Sequence, residues 1–207
     1  MKRIGLYLGV LFAVSFATSV IWSAPVAAGS LMKTGAAIVP PAGFIRFCVE
    51  HAQECLVSRQ QPEIVELTAD HLAQLEQVQT EVNAEITPRI NPSQSWEYAA
   101  SGYGDCNTYA LTKRRALIAL GWPEETLLLA AAYTESGEGH LVLVARTAEG
   151  DLVLDNRLPQ VVDWTQLPYR WIAVQSQTSP ARWLKVEADP MTVADAARSL
   201  TPAAALR

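Results

Sequence analysis

Cys106, His140 and Asp155 are the residues of this sequence whose types and spacing could make and break an acyl bond. Cys106 follows Gly102-Tyr103-Gly104-Asp105 and stands where a helix is expected to begin. Unpaired backbone N–H groups point at such a position, and the helix dipole favours negative charge there. Both effects stabilise a thiolate, the nucleophilic form of cysteine. Asp105 reads as the helix N-cap, and the glycines let the chain pass close to the helix and a substrate backbone approach the thiol. The plainer account of Cys106, a small buried apolar residue, gives the glycine-rich loop no purpose. His140 opens an apolar run after Gly137-Glu138-Gly139, and Asp155 closes the next one. A hairpin turning within Thr147–Asp151 would set the two across from each other, within a residue or two of register. An imidazole held by a carboxylate has one nitrogen oriented and the other free to face a thiol, as a general base requires. Taken singly, His140 reads equally well as a structural histidine and Asp155 as a turn former with Asn156. Their joint placement is what makes a triad.

The elements that must position these residues follow from periodicity. Thr68 is a candidate N-cap and Asp70 suits a first turn, so a helix opens after Leu67. Leu72, Leu75, Val78, Val82 and Ile86 define its buried face, and Thr87-Pro88 ends it. A second helix is expected from Cys106 to Leu120, with Ala110, Leu117, Ile118 and Leu120 as its apolar side and Gly121-Trp122-Pro123 as its stop. Leu127–Tyr133, His140–Arg146, Leu152–Asp155 and Tyr169–Gln175 read as strands. Residues 29–46 read as an extended lead-in without periodicity. The loop Ser93–Gly104 carries Trp96, Tyr98 and Tyr103, which suit either a ligand wall or the edge of a core.

The chain has 207 residues, 50% of them hydrophobic and 18% charged, enough for one packed domain and against wholesale disorder. A net charge of −5 argues against nucleic acid as a partner; Lys113-Arg114-Arg115, the one basic run, reads as a charged helix face. Met1-Lys2-Arg3, the apolar run Ile4–Trp22 and the small residues Ser23–Gly29 have the layout of a secretory signal peptide, with cleavage expected after Ala28. An uncleaved anchor is the alternative, since the run is about long enough to span a bilayer. A domain is then expected over 29–185, with an Ala-rich tail over 186–207. In an exported chain the three cysteines resolve into a Cys48–Cys55 disulfide and a free Cys106. A metal held by Cys48, His51 and Cys55 is the competing reading, and it lacks a fourth ligand. Otherwise His51 is a solvated loop residue.

Gly104-Asp105-Cys106 with Tyr109-Ala110-Leu111 and Lys113-Arg114, then Gly139–Leu143, then Leu152–Asn156, resembles the bacterial transglutaminase-like cysteine proteinase family. The resemblance spans about residues 44–175 and includes the paired cysteines and Val82-Asn83. It implies an α+β fold of the papain/transglutaminase kind, a nucleophile helix packed on an antiparallel sheet, and a catalytic set of Cys106, His140 and Asp155. It also implies kinship with periplasmic, calcium-dependent proteases that release adhesins from the cell surface by cutting near paired alanines. Family members commonly carry two acids right after the nucleophile; here Asn107 and Thr108 stand there, leaving Asp105 as the sole acid of the cluster. Calcium takes six to eight oxygen ligands, usually with several carboxylates. The expectation is therefore no required cofactor, with calcium at Asp105 as the one metal the resemblance leaves to consider.

The function expected is an exported cysteine peptidase acting on a protein or peptide, a cell-surface protein among the candidates, in the periplasm or outside the cell. The membrane is met only through the signal segment. Cys106 attacks, His140 moves the proton, Asp155 holds the imidazole, and the Cys106 backbone N–H is one oxyanion donor; for the second, Asn83 and Trp96 are unranked. The same thioester chemistry serves a transglutaminase or amidase, and a non-catalytic binding protein on the same fold is the rival outside enzymology.

Overall fold

Leu127–Tyr133 lacks apolar–polar alternation, as a strand covered on both faces does. In the computed structural model, which describes residues 30–57 and 65–187, six of its seven residues are buried or half-buried. In chain order the elements are β1 (Thr34–Ile38), α1 (Ala42–Glu50), α2 (Ala69–Glu85), β2 (Thr87–Pro88), β3 (Tyr103–Gly104), α3 (Cys106–Ala119), β4 (Leu127–Tyr133), β5 (Gly139–Thr147), β6 (Gly150–Leu154), β7 (Val162–Asp163), β8 (Arg170–Ser176) and β9 (Ser179–Val186). Seven strands form one sheet in the order β1-β9-β8-β4-β5-β6-β7, with every neighbouring pair antiparallel. β2 and β3 make a separate, two-residue parallel pair.

Successive side chains of the central strands face opposite sides. Leu129, Leu141, Leu143 and Leu154 pack with Leu75, Val78, Tyr109 and Leu117 of α2 and α3. Leu128, Ala130, Val142, Val144 and Val174 pack on the other side with Met32 and Trp164. The fold is thus helices on an antiparallel sheet, the α+β class expected.

Several sequence expectations are corrected. α1 begins at Ala42, inside the segment read as an extended lead-in, and buries Phe44 and Phe47. Five strands were not anticipated: β1, within that lead-in, the two-residue β2, β3 and β7, and β9, which buries Trp183 completely. On α2, Thr68 caps as expected by accepting from the His71 N–H, but Leu72 is exposed and Gln79 takes its place on the inner face. On α3, Leu120 is exposed, whereas Lys113 and Arg114 are buried, so the basic run is not a solvated face. Lys113 turns inward to Gln79, and Arg114 donates to the Leu127 carbonyl at 3.1 Å. Cys48 and Cys55 are bonded to each other, joining α1 to the following short turn. That bond removes the reading of the two as metal ligands with His51. The His51 ring instead lies 4.5 Å from the Phe47 ring, centroid to centroid.

Among the described residues no helix is long and apolar enough to cross a membrane. The segment 1–28 read as a signal peptide lies outside the described residues, as does the tail read over 186–207 apart from its first two residues, of which Val186 ends β9.

Candidate active site

Asp105 supplies the local reason that α3 starts where it does. Its Oδ1 accepts from the backbone N–H of Asn107 at 3.0 Å and of Thr108 at 3.3 Å, and its Oδ2 accepts from the Asn107 side-chain amide at 3.3 Å. Cys106 is thereby the first helical residue, half-buried and free. The loop before it is pinned by β2: the N–H of Thr87 donates to Gly102 and that of Arg89 to Gly104. Gly104 is required for closeness, because a Cβ there would meet the Thr108 side chain at 2.4 Å. Gly102 is required for conformation, at φ 71°.

β5 brings His140 to the same place. The β5–β6 ladder pairs Thr147 with Gly150 and Leu143 with Leu154. Continued to the strand ends, it would set His140 opposite Arg157, two residues from Asp155, so the contact is diagonal. His140 Nε2 and Asp155 Oδ1 are 2.8 Å apart, both side chains almost wholly enclosed. An ionised carboxylate has no proton to give, so Nε2 carries the hydrogen and Nδ1 is left for Cys106. Burial works against the imidazolium, but the hydrogen bonds and negative charges of Asp155 and Cys106 outweigh it and raise the His140 pKa to about 9. Burial alone would push the Asp155 carboxyl up; its bonds to His140, Tyr169 and the Arg157 N–H hold it below the ordinary aspartate value.

Asp155 is the best-held residue of the site, and sequence reasoning identified none of its other side-chain partners. Tyr169 donates its O–H to Oδ2 at 2.6 Å and sets its ring edge-on to the imidazole, 5.7 Å between centroids. Arg157 donates its N–H to Oδ1 at 2.9 Å, and its guanidinium forks onto Glu135 at 2.7 and 3.1 Å. That pair ties the loop after β6 to the β4–β5 turn. Gln79 donates to the Asp155 carbonyl at 2.7 Å. A signal for Gln79 existed: it is a polar residue four positions after Leu75 and three before Val82, inside the apolar stripe of α2.

Cys106, His140 and Asp105 line an open cleft of about 740 Å³. Trp96 forms part of its wall and also packs on Phe44 and Trp183 of the core, combining the two roles weighed for the aromatic loop. Tyr98 lies away from the cleft lining and bonds to Glu54, and Tyr103 is exposed under the guanidinium of Arg89. Asn83, weighed as an oxyanion donor, instead faces the Leu158 carbonyl at 2.9 Å. The donors around Cys106 do not fit calcium: the Asp105 carboxylate already receives three N–H bonds, and Thr108 is buried. Among the described residues no three His, Cys, Asp or Glu side chains are grouped to hold a metal ion.

The family model for the bacterial transglutaminase-like cysteine proteinases matches residues 34–191. Solved structures of LapG from Legionella pneumophila are similar to the chain. One has 23% sequence identity, covers 58% of this chain and 71% of its own, and superimposes with a TM-score of 0.48. An EGTA-treated form has 24% identity, 54% and 66% coverage and a TM-score of 0.47. A calcium-bound form has 19% identity, 61% and 78% coverage and a TM-score of 0.49. No curated protein shows significant sequence similarity to the chain.

Proposed function

The chain belongs to the bacterial transglutaminase-like cysteine proteinase family and is a cysteine peptidase, and on that footing we propose that Cys106, His140 and Asp155 are its catalytic triad. The observation that carries the reading is the 2.8 Å bond between His140 Nε2 and Asp155 Oδ1, with the other ring nitrogen left to the thiol at the start of α3.

In this mechanism Cys106 Sγ, as the thiolate, attacks the carbonyl carbon of a peptide bond. The Cys106 backbone N–H, unpaired at the helix start, donates to the oxyanion that forms. The imidazolium of His140 gives its Nδ1 proton to the departing amine, the C–N bond breaks and a thioester remains. Neutral His140 then takes a proton from water, the hydroxyl adds to the thioester, and the carboxylic acid leaves as the thiolate–imidazolium pair is restored. Asp155 keeps Nε2–H engaged throughout, so Nδ1 is the nitrogen that shuttles.

The substrate is a protein or peptide reached outside the cytoplasm, a cell-surface protein foremost. The reading places a secretory signal at 1–28 and the peptidase domain at 29–185, in the periplasm or beyond. Calcium is not needed at Cys106. The test is a comparison of surface and released proteins from cells carrying the active protein and cells carrying Cys106→Ala. One or more surface proteins should be shortened only with the active protein; identical profiles would overturn the peptidase assignment of Cys106.

A further inference from the structure

Lys113 is an amine with no exposure to solvent, in a helix that otherwise serves the thiol. Its Nζ donates to Gln79 Oε1 at 2.7 Å. The Gln79 amide, also fully buried, donates from Nε2 to the carbonyls of Asp155 and Leu158, each at 2.7 Å. One turn further along α2, Asn83 donates to the same Leu158 carbonyl at 2.9 Å. The N–H of Leu158 closes back onto the Asp155 carbonyl at 3.2 Å, so the grip falls on a single turn of chain. An ammonium can only donate and a carbonyl can only accept, so the two contacts fix the Gln79 amide in one orientation. An uncharged side chain that must accept on one side and donate to two carbonyls on the other can be an amide and little else.

We infer that Lys113, Gln79 and Asn83 form a buried clamp that positions Asp155 through its main chain, and so sets how firmly the carboxylate holds His140. This rests on the triad reading above. None of the three touches the thiol, the imidazole or the cleft, so they are positioning residues. The arrangement explains why a lysine remains in the core: removing the cation would leave Gln79 Oε1 buried without a donor. Burial lowers the Lys113 pKa to about 7, partly offset by attraction to Asp155.

The clamp has a signature that general stabilisation lacks. Charged or titratable groups facing His140 are Asp155, Cys106 and Tyr169; those facing Lys113 are Asp155 and Tyr109, whose ring lies under Nζ at 5.9 Å. If Lys113 acted only by its charge, deleting it would leave the imidazole pKa in place, because an amine with a pKa of about 7 is largely neutral near pH 9. If it acts by position, deletion loosens Asp155 and the imidazole pKa falls. Asn83→Ala changes no charge, sits at a half-buried site and isolates the positional effect.

The experiment is alkylation of Cys106 in the full chain by iodoacetate, an anion drawn in by the imidazolium, as a function of pH. Wild type should show a falling limb near pH 9. Lys113→Met and Asn83→Ala should each move that limb to lower pH. For Lys113→Met the rate at pH 9 should be roughly twofold to fivefold below wild type, a shift of about half to one pH unit, with the rate at pH 6 unchanged. Asn83→Ala should move in the same direction by less. A folded variant whose limb stays in place or moves upward overturns the clamp, even if its Tm drops. If Lys113→Met does not fold, Asn83→Ala decides alone. A wild type without the limb near pH 9 would instead break the triad reading on which the clamp depends.

Discussion

The two partners of His140 live in opposite surroundings. On one side Asp155 has no solvent exposure, and its three oxygens receive hydrogen bonds from His140, Arg157, Tyr169, Gln79 and Leu158. On the other side Cys106 lies half-buried in the wall of an open cleft, and its nearest polar side-chain contact beyond His140 is Asn107 Oδ1 at 4.0 Å. The acid is held by groups from α2, β5, its own loop and the segment before β8. The thiol is held by the start of one helix and by the glycines before it. In the proposed triad, orientation is thus concentrated at Asp155, outside the cleft lining, while the thiol end is left accessible. A peptide carbonyl must reach the sulfur, and every bond to Cys106 that did not take part in the reaction would stand in its way.

Substitutions along the triad should sharpen this asymmetry. His140→Ala removes the proton shuttle and should abolish cleavage, measured as loss of shortened surface proteins at constant protein level. Asp155→Asn keeps the shape of the acid but puts an amide where Nε2–H must be accepted. By analogy with other triads a loss on the order of 10³–10⁴-fold is expected, leaving a trace of activity. Tyr169→Phe keeps the ring against His140 and deletes only the donor to Oδ2. Because Oδ1 remains bonded to His140 and the Arg157 N–H, the loss should be nearer tenfold, in line with one charge-assisted hydrogen bond. If Tyr169→Phe costs as much as Asp155→Asn, the many bonds to Asp155 are not redundant, and the comparison of a heavily held acid with a lightly held thiol loses its meaning.

The pH profile addresses the pair as a unit. His140 is raised to about 9 and Asp155 lies below its ordinary value, so between these limits the imidazolium faces an ionised acid. Cleavage should fall above pH 9, because acylation needs the Nδ1 proton for the leaving amine, and should be down about tenfold at pH 10. The stability contribution has a matching sign. Because His140 binds its proton more tightly when folded, that contribution is complete below the unfolded value near 6.5 and is lost as pH rises through 9. A cleavage rate still rising at pH 10 would mean that the imidazole works only as a neutral base.

What could be read from the sequence divides along physical lines. α2 and α3 were legible because each has an N-cap with a side-chain acceptor and a stop signal. The four central strands were legible because they are long apolar runs between turn residues. α1 was not, since Pro40-Pro41 resembles extended chain, although Phe44 and Phe47 at helical spacing were a usable clue. β9 escaped because Pro180 and three polar residues surround its buried Trp183 and Val186. At the site, Cys106, His140 and Asp155 carry their chemistry in their residue types, and the hairpin arithmetic fell two residues from the true register. Gln79, Tyr169 and Lys113 were hidden because their importance lies in partners far away in sequence. Lys113 in particular stands in a Lys-Arg-Arg run whose neighbour Arg115 does face solvent.

Chelation should have the smallest effect of all, and it tests the lightly held end of the triad. Calcium close to the thiol would need several anionic oxygens, and the residues after Cys106 offer an amide and a buried hydroxyl in place of acids. Asp105, the acid that does stand there, already accepts from two backbone N–H groups and one side-chain amide, and those bonds begin α3. Turning that carboxylate toward a cation would uncap the helix on which Cys106 depends. The helix N-terminus adds a second obstacle, since its dipole favours anions and repels cations. Any calcium affinity of this cluster should therefore fall at the weak end for extracellular sites, roughly 10⁻⁴ M or worse. Treatment with EGTA should change the cleavage rate by less than about twofold, and isothermal titration with calcium should show no micromolar binding. Tight binding, or a collapse of activity on chelation, would mean that acids distant in sequence complete a site beside Asp105. The thiol would then be held by an ion as firmly as Asp155 is held by its hydrogen bonds, and the asymmetry between the two ends of the triad would disappear.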